Sequence, residues 1–308
     1  MRIVFFGTPF FAIPTLDALF RSGEEITAVV TQPDKRKGRT RELTPPPVKE
    51  YALKNNIPIL QPVKIRDYQF LKELSQFHPD IIIVVAYGKI LPSQILSLPP
   101  HGCVNVHASL LPKYRGAAPI QWAIIRGEEK TGVTTMLMDE GLDTGDILLE
   151  EELSISEDDT AETLGRRLSE LGASVLLKTL QGIKQGTVKP APQSGTPTYA
   201  PPLKKEDGKI AWSGTAEDIF NFVRGMFPWP CAYGILHQER IKIIRVQELK
   251  GASGQPGRIE KTGDELLVGT ARGLISILEL QPEGKKRMSA RDFMQGRKLQ
   301  TGDFFDEP

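Results

Sequence analysis

Three polar side chains between residues 103 and 146 have the types and the spacing that catalysis requires. Asn105 and His107 stand two residues apart at the end of an apolar run, so a strand there would place both side chains on one face, about 7 Å apart. Asp143 lies between two glycines, in a loop that would bring its carboxylate close to another group. No serine or cysteine nucleophile adjoins the histidine. An amide, an imidazole and a carboxylate together suit polarising a carbonyl group and moving a proton.

A metal site is the alternative interpretation of the same stretch. His101, Cys103 and His107 would lie on one strand face and offer nitrogen and sulfur ligands. Asn105 interrupts them, however, and the sequence has no Cys-x-x-Cys or His-Glu-x-x-His partner. We therefore expect no metal, and we interpret Cys103 as a small buried hydrophobic residue.

Length and composition indicate the broad class of protein. The 308 residues suit one large domain or two ordinary ones, and 40% hydrophobic with 25% charged residues is normal for a globular chain. The net charge is only +1, so any binding of nucleic acid would depend on local basic patches. The sequence has two cysteines, no signal-peptide pattern and no apolar run long enough to span a bilayer, so we expect a cytoplasmic protein.

Strands alternate with helices over residues 1–188, which predicts a Rossmann-like α/β domain with a doubly wound parallel sheet. The first strand ends in Gly7-Thr-Pro-Phe-Phe rather than in Gly-x-Gly-x-x-Gly, so we do not expect a nicotinamide cofactor. Tyr87-Gly88 and His107–Ser109 also follow apolar strands. The carboxyl ends of such strands meet along one edge, which predicts a single ligand crevice there.

The pattern changes in the last third of the chain. Residues 189–208 are rich in proline, glycine and small polar residues and are predicted to form a linker. Residues 209–308 contain one helix and then short strands separated by glycine, which predicts a small β-barrel of the OB type. The aromatic segment Phe227–Tyr233 would suit base stacking, but packing in the core is the favoured interpretation.

Four motifs resemble those of the folate-dependent formyltransferases, and the resemblance covers essentially the whole chain. They are Asn105-Val-His107, Ser109-Leu-Leu-Pro112, Arg115-Gly-Ala-Ala-Pro-Ile-Gln121 and Gly141-Leu-Asp-Thr-Gly145. The resemblance is strongest to the branch that formylates methionine on initiator tRNA for translation initiation. It implies 10-formyltetrahydrofolate as a consumed cosubstrate and a C-terminal barrel that assists tRNA binding.

The resemblance also implies roles for individual residues. Asn105 would donate a hydrogen bond to the formyl oxygen, His107 would donate or shuttle a proton, and Asp143 would orient the imidazole and help to take the proton. How His107 and Asp143 divide the proton transfer stays open. The folate site would be lined by Ser109, Leu110, Leu111, Pro112, Tyr87 and Gly88.

A basic run follows the second strand and would project from the same edge as the crevice. Five of the seven residues from Lys35 to Arg41 are basic and none is acidic. The family has an insertion here that contacts the acceptor end of initiator tRNA. The expected tRNA contacts are therefore Lys35, Arg36, Lys37, Arg39, Arg41, Lys204 and Lys205. Lys285–Arg287 is a further basic cluster, interpreted either as an electrostatic contact or as a solvated turn, and we expect a monomer.

Three other functions remain as alternatives. A formyl-tetrahydrofolate hydrolase or an amino-sugar formyltransferase would use the same three side chains with a different acceptor, and would leave the basic run without a role. A non-catalytic RNA-binding module would be expected to have lost one of the three side chains by substitution, but Asn105, His107 and Asp143 are all present. A dehydrogenase is disfavoured because the glycine fingerprint is missing.

Overall fold

A computed structural model of the chain describes residues 1–37, 42–297 and 299–306. The chain divides into two units. The first comprises Met1–Pro119, Lys130–Ser154 and Gly165–Pro201, and the second comprises Ile120–Glu129, Ile155–Leu164 and Pro202–Pro308.

The described strands and helices have the following bounds. The strands are β1 (Arg2–Gly7), β2 (Glu25–Val30), β3 (Lys35–Lys37), β4 (Glu42–Thr44), β5 (Ile59–Leu60), β6 (Ile81–Val85), β7 (Cys103–His107), β8 (Arg115–Gly116), β9 (Lys130–Leu137), β10 (Ile147–Ser154), β11 (Tyr199–Ala200), β12 (Tyr233–Leu236), β13 (Glu239–Leu249), β14 (Ile259–Lys261), β15 (Leu266–Gly269), β16 (Leu274–Pro282) and β17 (Met288–Ser289). The α-helices are α1 (Ile13–Arg21), α2 (Pro47–Lys54), α3 (Tyr68–Ser75), α4 (Ser93–Leu96), α5 (Pro119–Ile125), α6 (Ala161–Gln185), α7 (Ala216–Met226) and α8 (Ala290–Gln295).

The main sheet of the first unit has seven strands in the order β10-β9-β7-β6-β1-β2-β5. The strands from β7 to β5 run parallel, which confirms the predicted α/β class. β9 is antiparallel to β7 and β10 is antiparallel to β9, so the sheet is mixed rather than entirely parallel. Only residues 138–146 join β9 to β10, and a parallel crossover needs about a dozen residues or more, so these two strands pair as antiparallel neighbours.

The strands that lead to the predicted crevice are buried on both faces. Every residue of β6 is buried, and β1 is buried from its second residue to its last, as expected for apolar runs without alternation. Helix α6 lies close to β7, because a Cβ at Gly172 would be 2.9 Å from Val106 Cγ1. That packing fixes the strand that carries Asn105 and His107. None of the described helices is both long and apolar enough to cross a membrane.

The second unit contains an antiparallel sheet in the order β12-β13-β16-β15-β14, with β17 paired to β16. The predicted C-terminal fold, one helix followed by an OB-like β-sheet, is therefore confirmed, with β17 and helix α8 as additional elements. Helix α7 begins at a capping box, because Thr215 and Asp218 each accept a hydrogen bond from the other's backbone N–H.

Candidate active site

The carboxyl ends of β1, β6 and β7 form one edge of the sheet in the first unit, because these strands are parallel neighbours. The Tyr87 carbonyl, just after β6, accepts hydrogen bonds of 3.2 Å from the Thr8 hydroxyl and from Gln32 Nε2. The segments that follow β1, β2 and β6 are thus tied together. This edge holds the candidate site, and the expected crevice lies along it.

His107 is the last residue of β7 and is only 6% exposed. Its Nε2 lies 3.0 Å from the Tyr114 carbonyl oxygen. A carbonyl oxygen accepts but does not donate, so Nε2 carries the hydrogen and Nδ1 offers a lone pair in the neutral ring. Nδ1 lies 3.7 Å from Asp143 Oδ2, which is too far for a direct hydrogen bond and close enough for an ion pair when the ring is protonated.

Asp143 has a backbone φ of +52°, in the left-handed region that side-chain-bearing residues rarely adopt. Its Oδ2 also accepts a 2.8 Å hydrogen bond from the Gly116 N–H. The flanking glycines are required by close approach, since a Cβ at Gly141 would lie 1.9 Å from Thr144 Oγ1 and one at Gly145 would lie 1.8 Å from the Leu137 carbonyl. The loop therefore holds its carboxylate in a strained, defined position.

Gln193 supports this loop from a segment that was predicted to be a linker. Its Nε2 donates to the carbonyls of Asp143 and Gly145, at 2.9 and 2.8 Å. Its Oε1 accepts from Arg115 Nε and Nη2, at 3.1 and 2.6 Å. The amide thus links Arg115 to the backbone of the Asp143 loop.

The same segment, residues 191–200, also holds the backbone beside His107. Thr198 Oγ1 accepts from the Tyr114 N–H at 2.9 Å, and the Thr198 carbonyl accepts from the Arg115 N–H at 2.9 Å. β11 then pairs with β8. We call residues 191–200 the clasp, because it contacts the chain next to both members of the His107–Asp143 pair. Sequence reasoning missed it, since a run rich in proline and small polar residues carries no signal for such contacts.

Asn105 lies on β7 two residues before His107 and is half-buried. Within the described part of the chain, its side-chain amide makes no hydrogen bond. The amide therefore keeps its donors for a group that enters the crevice. An amide with free donors, an imidazole with a lone pair on Nδ1 and a fixed carboxylate can stabilise an oxyanion and accept a proton.

The residues expected to line the folate site divide into two groups. Ser109 is fully buried, and its hydroxyl donates to the Lys113 carbonyl at 2.6 Å. Leu111 is 4% exposed and Tyr87 is 2% exposed, and burial raises the pKa of Tyr87 to about 12. These side chains are packed inside the unit. Leu110 and Pro112 are half-buried and Gly88 is exposed, so these three are accessible.

A cavity lies directly after Tyr87-Gly88, and the sequence analysis predicted a crevice at these strand ends without identifying the residues that line this cavity. Its volume is about 320 Å³, and its lining is Arg66, Ile90, Leu91, Pro92, Ser93, Gln94 and Glu140. Glu140 belongs to the loop that carries Asp143. The signal for this cavity was present in the sequence, because an apolar Ile-Leu-Pro run after a buried parallel strand lies where ligands bind in such sheets.

The expected basic residues are exposed where the structure describes their side chains. Lys35 and Arg36 lie on β3, which pairs with β4 as a two-stranded ribbon in the first unit. Arg39 and Arg41 lie outside the described residues. Lys204 and Lys205 are exposed and belong to the second unit. In the described parts of the chain, no three or more His, Cys, Asp or Glu residues are grouped to hold a metal ion.

Comparisons with known proteins agree with this geometry. The formyl transferase family matches residues 1–180, and the formyl transferase C-terminal domain matches residues 202–298. The methionyl-tRNA formyltransferase of Thermodesulfovibrio yellowstonii is 56% identical over 300 residues, which cover 97% of each chain. Another, from Pelotomaculum thermopropionicum, is 53% identical and covers 98% of this chain and 97% of its own.

A solved structure shares the fold. The methionyl-tRNA formyltransferase from Clostridium thermocellum has a TM-score of 0.58 and 20% identity, and covers 82% of this chain and 95% of its own. That identity supports a shared fold and no more. The two family matches together extend over most of the sequence, and the curated relatives are more than half identical along nearly their full lengths. The chain therefore belongs to the formyl transferase family.

Proposed function

We propose that this protein transfers the formyl group of 10-formyltetrahydrofolate to the free amino group of methionine on initiator methionyl-tRNA. The observation that carries the proposal is the cluster of Asn105, His107 and Asp143 at one edge of the sheet. The Asn105 amide is free to donate a hydrogen bond, whereas His107 and Asp143 are held in place by their contacts. The cluster occurs in a chain that is 56% identical, over 97% of its length, to a protein named methionyl-tRNA formyltransferase.

The reaction starts when the methionine amine attacks the formyl carbon, which forms a carbon–nitrogen bond and places negative charge on the formyl oxygen. Asn105 donates to that oxygen through its free amide, and removal of such a donor typically costs about 10²–10³ in rate. The intermediate then collapses, the bond between the formyl carbon and the folate nitrogen breaks, and tetrahydrofolate leaves as that nitrogen receives a proton.

The attacking amine must also lose a proton. Nε2 of His107 is held by the Tyr114 carbonyl at 3.0 Å, so Nδ1 is the ring nitrogen that accepts and returns a proton. Asp143 Oδ2, 3.7 Å away, stabilises the imidazolium that forms. The Gly116 N–H bound to the same oxygen keeps the carboxylate in place.

We assign the folate to the cavity after Tyr87-Gly88 and to the accessible groups Leu110, Pro112 and Gly88. The cavity combines apolar side chains with the polar groups of Arg66, Ser93, Gln94 and Glu140, which offer hydrogen bonds to the polar edges of a flat ligand. Ser109, Leu111 and Tyr87 then support this site from inside the unit instead of contacting the ligand.

We assign the tRNA to the basic residues of both units, Lys35, Arg36, Lys37, Arg39, Arg41, Lys204 and Lys205. Residues 1–188 would form the catalytic domain, 189–208 the connection and 209–308 the tRNA-binding domain. The clasp lies within that connection, so its ordered part would belong to the catalytic machinery. A monomeric protein in the cytoplasm, where initiator tRNA is charged, completes the proposal.

The test is formyl transfer from 10-formyltetrahydrofolate with charged initiator tRNA, charged elongator methionine tRNA or no acceptor. We expect product with the initiator tRNA and little with the other two. Formate release at a comparable rate without an acceptor would instead indicate a hydrolase, and no consumption of the folate would overturn the proposal.

A further inference from the structure

The loop between α7 and β12 in the second unit exposes a tryptophan. The Cys231 N–H donates to the Met226 carbonyl at 2.8 Å and closes the loop, whose backbone Pro228 and Pro230 restrict. Trp229 lies between these prolines and is 55% exposed. Core packing, the interpretation favoured for this segment, is therefore wrong for Trp229, although Cys231 and its neighbours are buried.

Positive charges surround the loop. The Arg287 guanidinium lies 5.8 Å from the centre of the Phe227 ring, so the basic turn 285–287 is next to the aromatic segment. Burial raises the pKa of the Cys231 thiol, and Lys242, Arg240 and Arg287 oppose that rise because their positive charges are near it. Arg240 and Lys242 lie on β13, and Arg287 lies on the turn between β16 and β17.

The acidic residues of this face do not cancel its charge. Glu279 pairs with Arg287 and, at 3.3 Å, with Arg245, so one carboxylate is shared between two guanidinium groups. Glu283 is a second acid, at the start of the turn. Lys285 and Lys286 are exposed, and neither forms an ion pair with a described residue.

An exposed aromatic ring, on a loop whose Phe227 lies beside the basic turn, matches one kind of partner. Nucleic-acid bases stack on such rings in any sequence, and lysines neutralise the adjoining phosphates. The two prolines have already restricted the loop, so little conformational entropy is lost when a base stacks. We propose that Trp229 stacks on an unpaired base of the tRNA while Lys285 and Lys286 contact its phosphates. The choice of tRNA as the RNA rests on the proposed function.

The first experiment measures the affinity of the full-length protein for uncharged initiator tRNA. Trp229→Ala should weaken binding about 5- to 150-fold, the range of one lost base–aromatic stack. Trp229→Phe should lose less, because it keeps a ring. Phe20→Ala is the control, since it removes an exposed ring from the first unit and should leave affinity unchanged.

Tryptophan fluorescence provides a readout that a folding defect does not imitate. We expect tRNA to quench the emission of the wild type, and we expect the largest part of that quenching to disappear in Trp229→Phe, because Trp229 is 55% exposed whereas Trp212 is 5% exposed and Trp122 is half-buried. Thermal melting should show that Trp229→Phe folds as the wild type does. Quenching that is unchanged in Trp229→Phe would overturn the proposal.

Salt dependence tests the lysines. The double variant Lys285→Ala, Lys286→Ala should reduce the slope of log affinity against log salt concentration by about 1.5. This is the change expected when two fewer phosphates are neutralised and two fewer counterions are released on binding. An unchanged slope would remove these lysines from the interface. If the tRNA affinity of Trp229→Ala stays within twofold of the wild type, the Trp229 ring is not part of the RNA interface. An acidic protein would then be the better candidate partner for this surface.

The formyl-transfer assay separates this inference from the proposed function. If the wild type formylates initiator tRNA but Trp229→Ala binds it normally, only the stacking inference fails. If the wild type binds tRNA through Trp229 but transfers no formyl group to it, only the proposed function fails.

Discussion

The candidate active site and the aromatic loop of the second unit differ in how their functional groups are held. His107 is 6% exposed, and both ring nitrogens have an oxygen within 4 Å. Trp229 is 55% exposed, and Lys285 and Lys286 on the basic turn form no ion pair with a described residue. A reaction needs dipoles that are fixed before charge develops, whereas RNA binding needs accessible rings and unpaired cations. This difference is the one we expect if the first region performs the chemistry and the second binds RNA.

The backbone of both regions includes residues with positive φ values, and the regions differ in the contacts that hold them. In the active site, Tyr114 and Asp143 both have positive φ values, of 60° and 52°. Such residues cost free energy and persist only where the surrounding contacts hold them. Gln193 and Thr198 of the clasp supply those contacts. In the aromatic loop, Cys231 also has a positive φ, of 71°, and its N–H donates to the Met226 carbonyl.

Loss of the free amide should have the largest effect. Asn105→Ala should reduce formyl transfer about 10²–10³-fold at saturating tRNA, because the developing oxyanion loses its donor. Asn105→Asp is the matched variant, since it keeps the shape and lacks the N–H groups, and it should be at least as slow. Near-normal turnover in Asn105→Asp would show that the amide is not the donor.

Loss of the clasp amide should have the next largest effect. Gln193→Leu keeps the volume but removes both hydrogen bonds to the Asp143 loop, so kcat should fall about 10- to 100-fold, as expected for a small misplacement of a catalytic group. KM for the folate should change little, and the pH–rate profile should shift because the carboxylate moves relative to His107.

Ser194→Ala is the control for the clasp. Ser194 is the exposed neighbour of Gln193, and its loss should change neither kcat nor the pH profile. If Gln193→Leu also left both unchanged, the clasp would have no role in placing Asp143.

The basic run of the first unit should have a smaller effect, seen mainly in the salt dependence. Replacing Arg36, Arg39 and Arg41 with alanine should reduce the slope of log tRNA affinity against log salt by about 2. The last two of these arginines lie outside the described residues. Lys54→Ala, Lys72→Ala removes exposed charge elsewhere in the same unit and should leave the slope near the wild-type value. Equal slopes in both variants would exclude the run from the interface.

The smallest effect concerns the thiols. Burial raises the pKa of Cys103 to about 12 and also raises that of Cys231, so almost no thiolate exists at pH 8. Iodoacetamide should leave both cysteines of the native protein unmodified, and activity should be unchanged. Both should react after unfolding in denaturant. Rapid labelling of Cys103 in the native protein, measured by mass spectrometry, would contradict the packing of β7.

The sequence was sufficient for features that depend on local pattern. Asn105 and His107 belong to one strand, so their spacing alone predicts a shared face. The two glycines around Asp143 predict a tight loop, and the structure has both at positions where a Cβ would clash. The alternation of strands and helices predicted the α/β class in the same way, without the antiparallel direction of β9 and β10.

The remaining features depend on contacts between distant parts of the chain. Gln193 supports a loop 48 and 50 residues earlier, and no periodicity relates them. His107 is oriented by the backbone carbonyl oxygen of Tyr114. Every residue type has this atom, so the sequence gives no sign of the contact. The exposure of Trp229 was also missed, because the sequence shows that an aromatic residue is present and not which side of the fold it occupies.

The most direct test of the division between chemistry and binding is Asp143→Asn. Its formyl transfer to charged initiator tRNA would be measured in a single turnover, and its affinity for uncharged initiator tRNA by titration. We expect transfer to slow by at least about 10²-fold, because the imidazolium loses its counter-charge, while the dissociation constant stays within twofold of the wild-type value. A dissociation constant that rises as much as the rate falls would contradict the assignment of this site to chemistry.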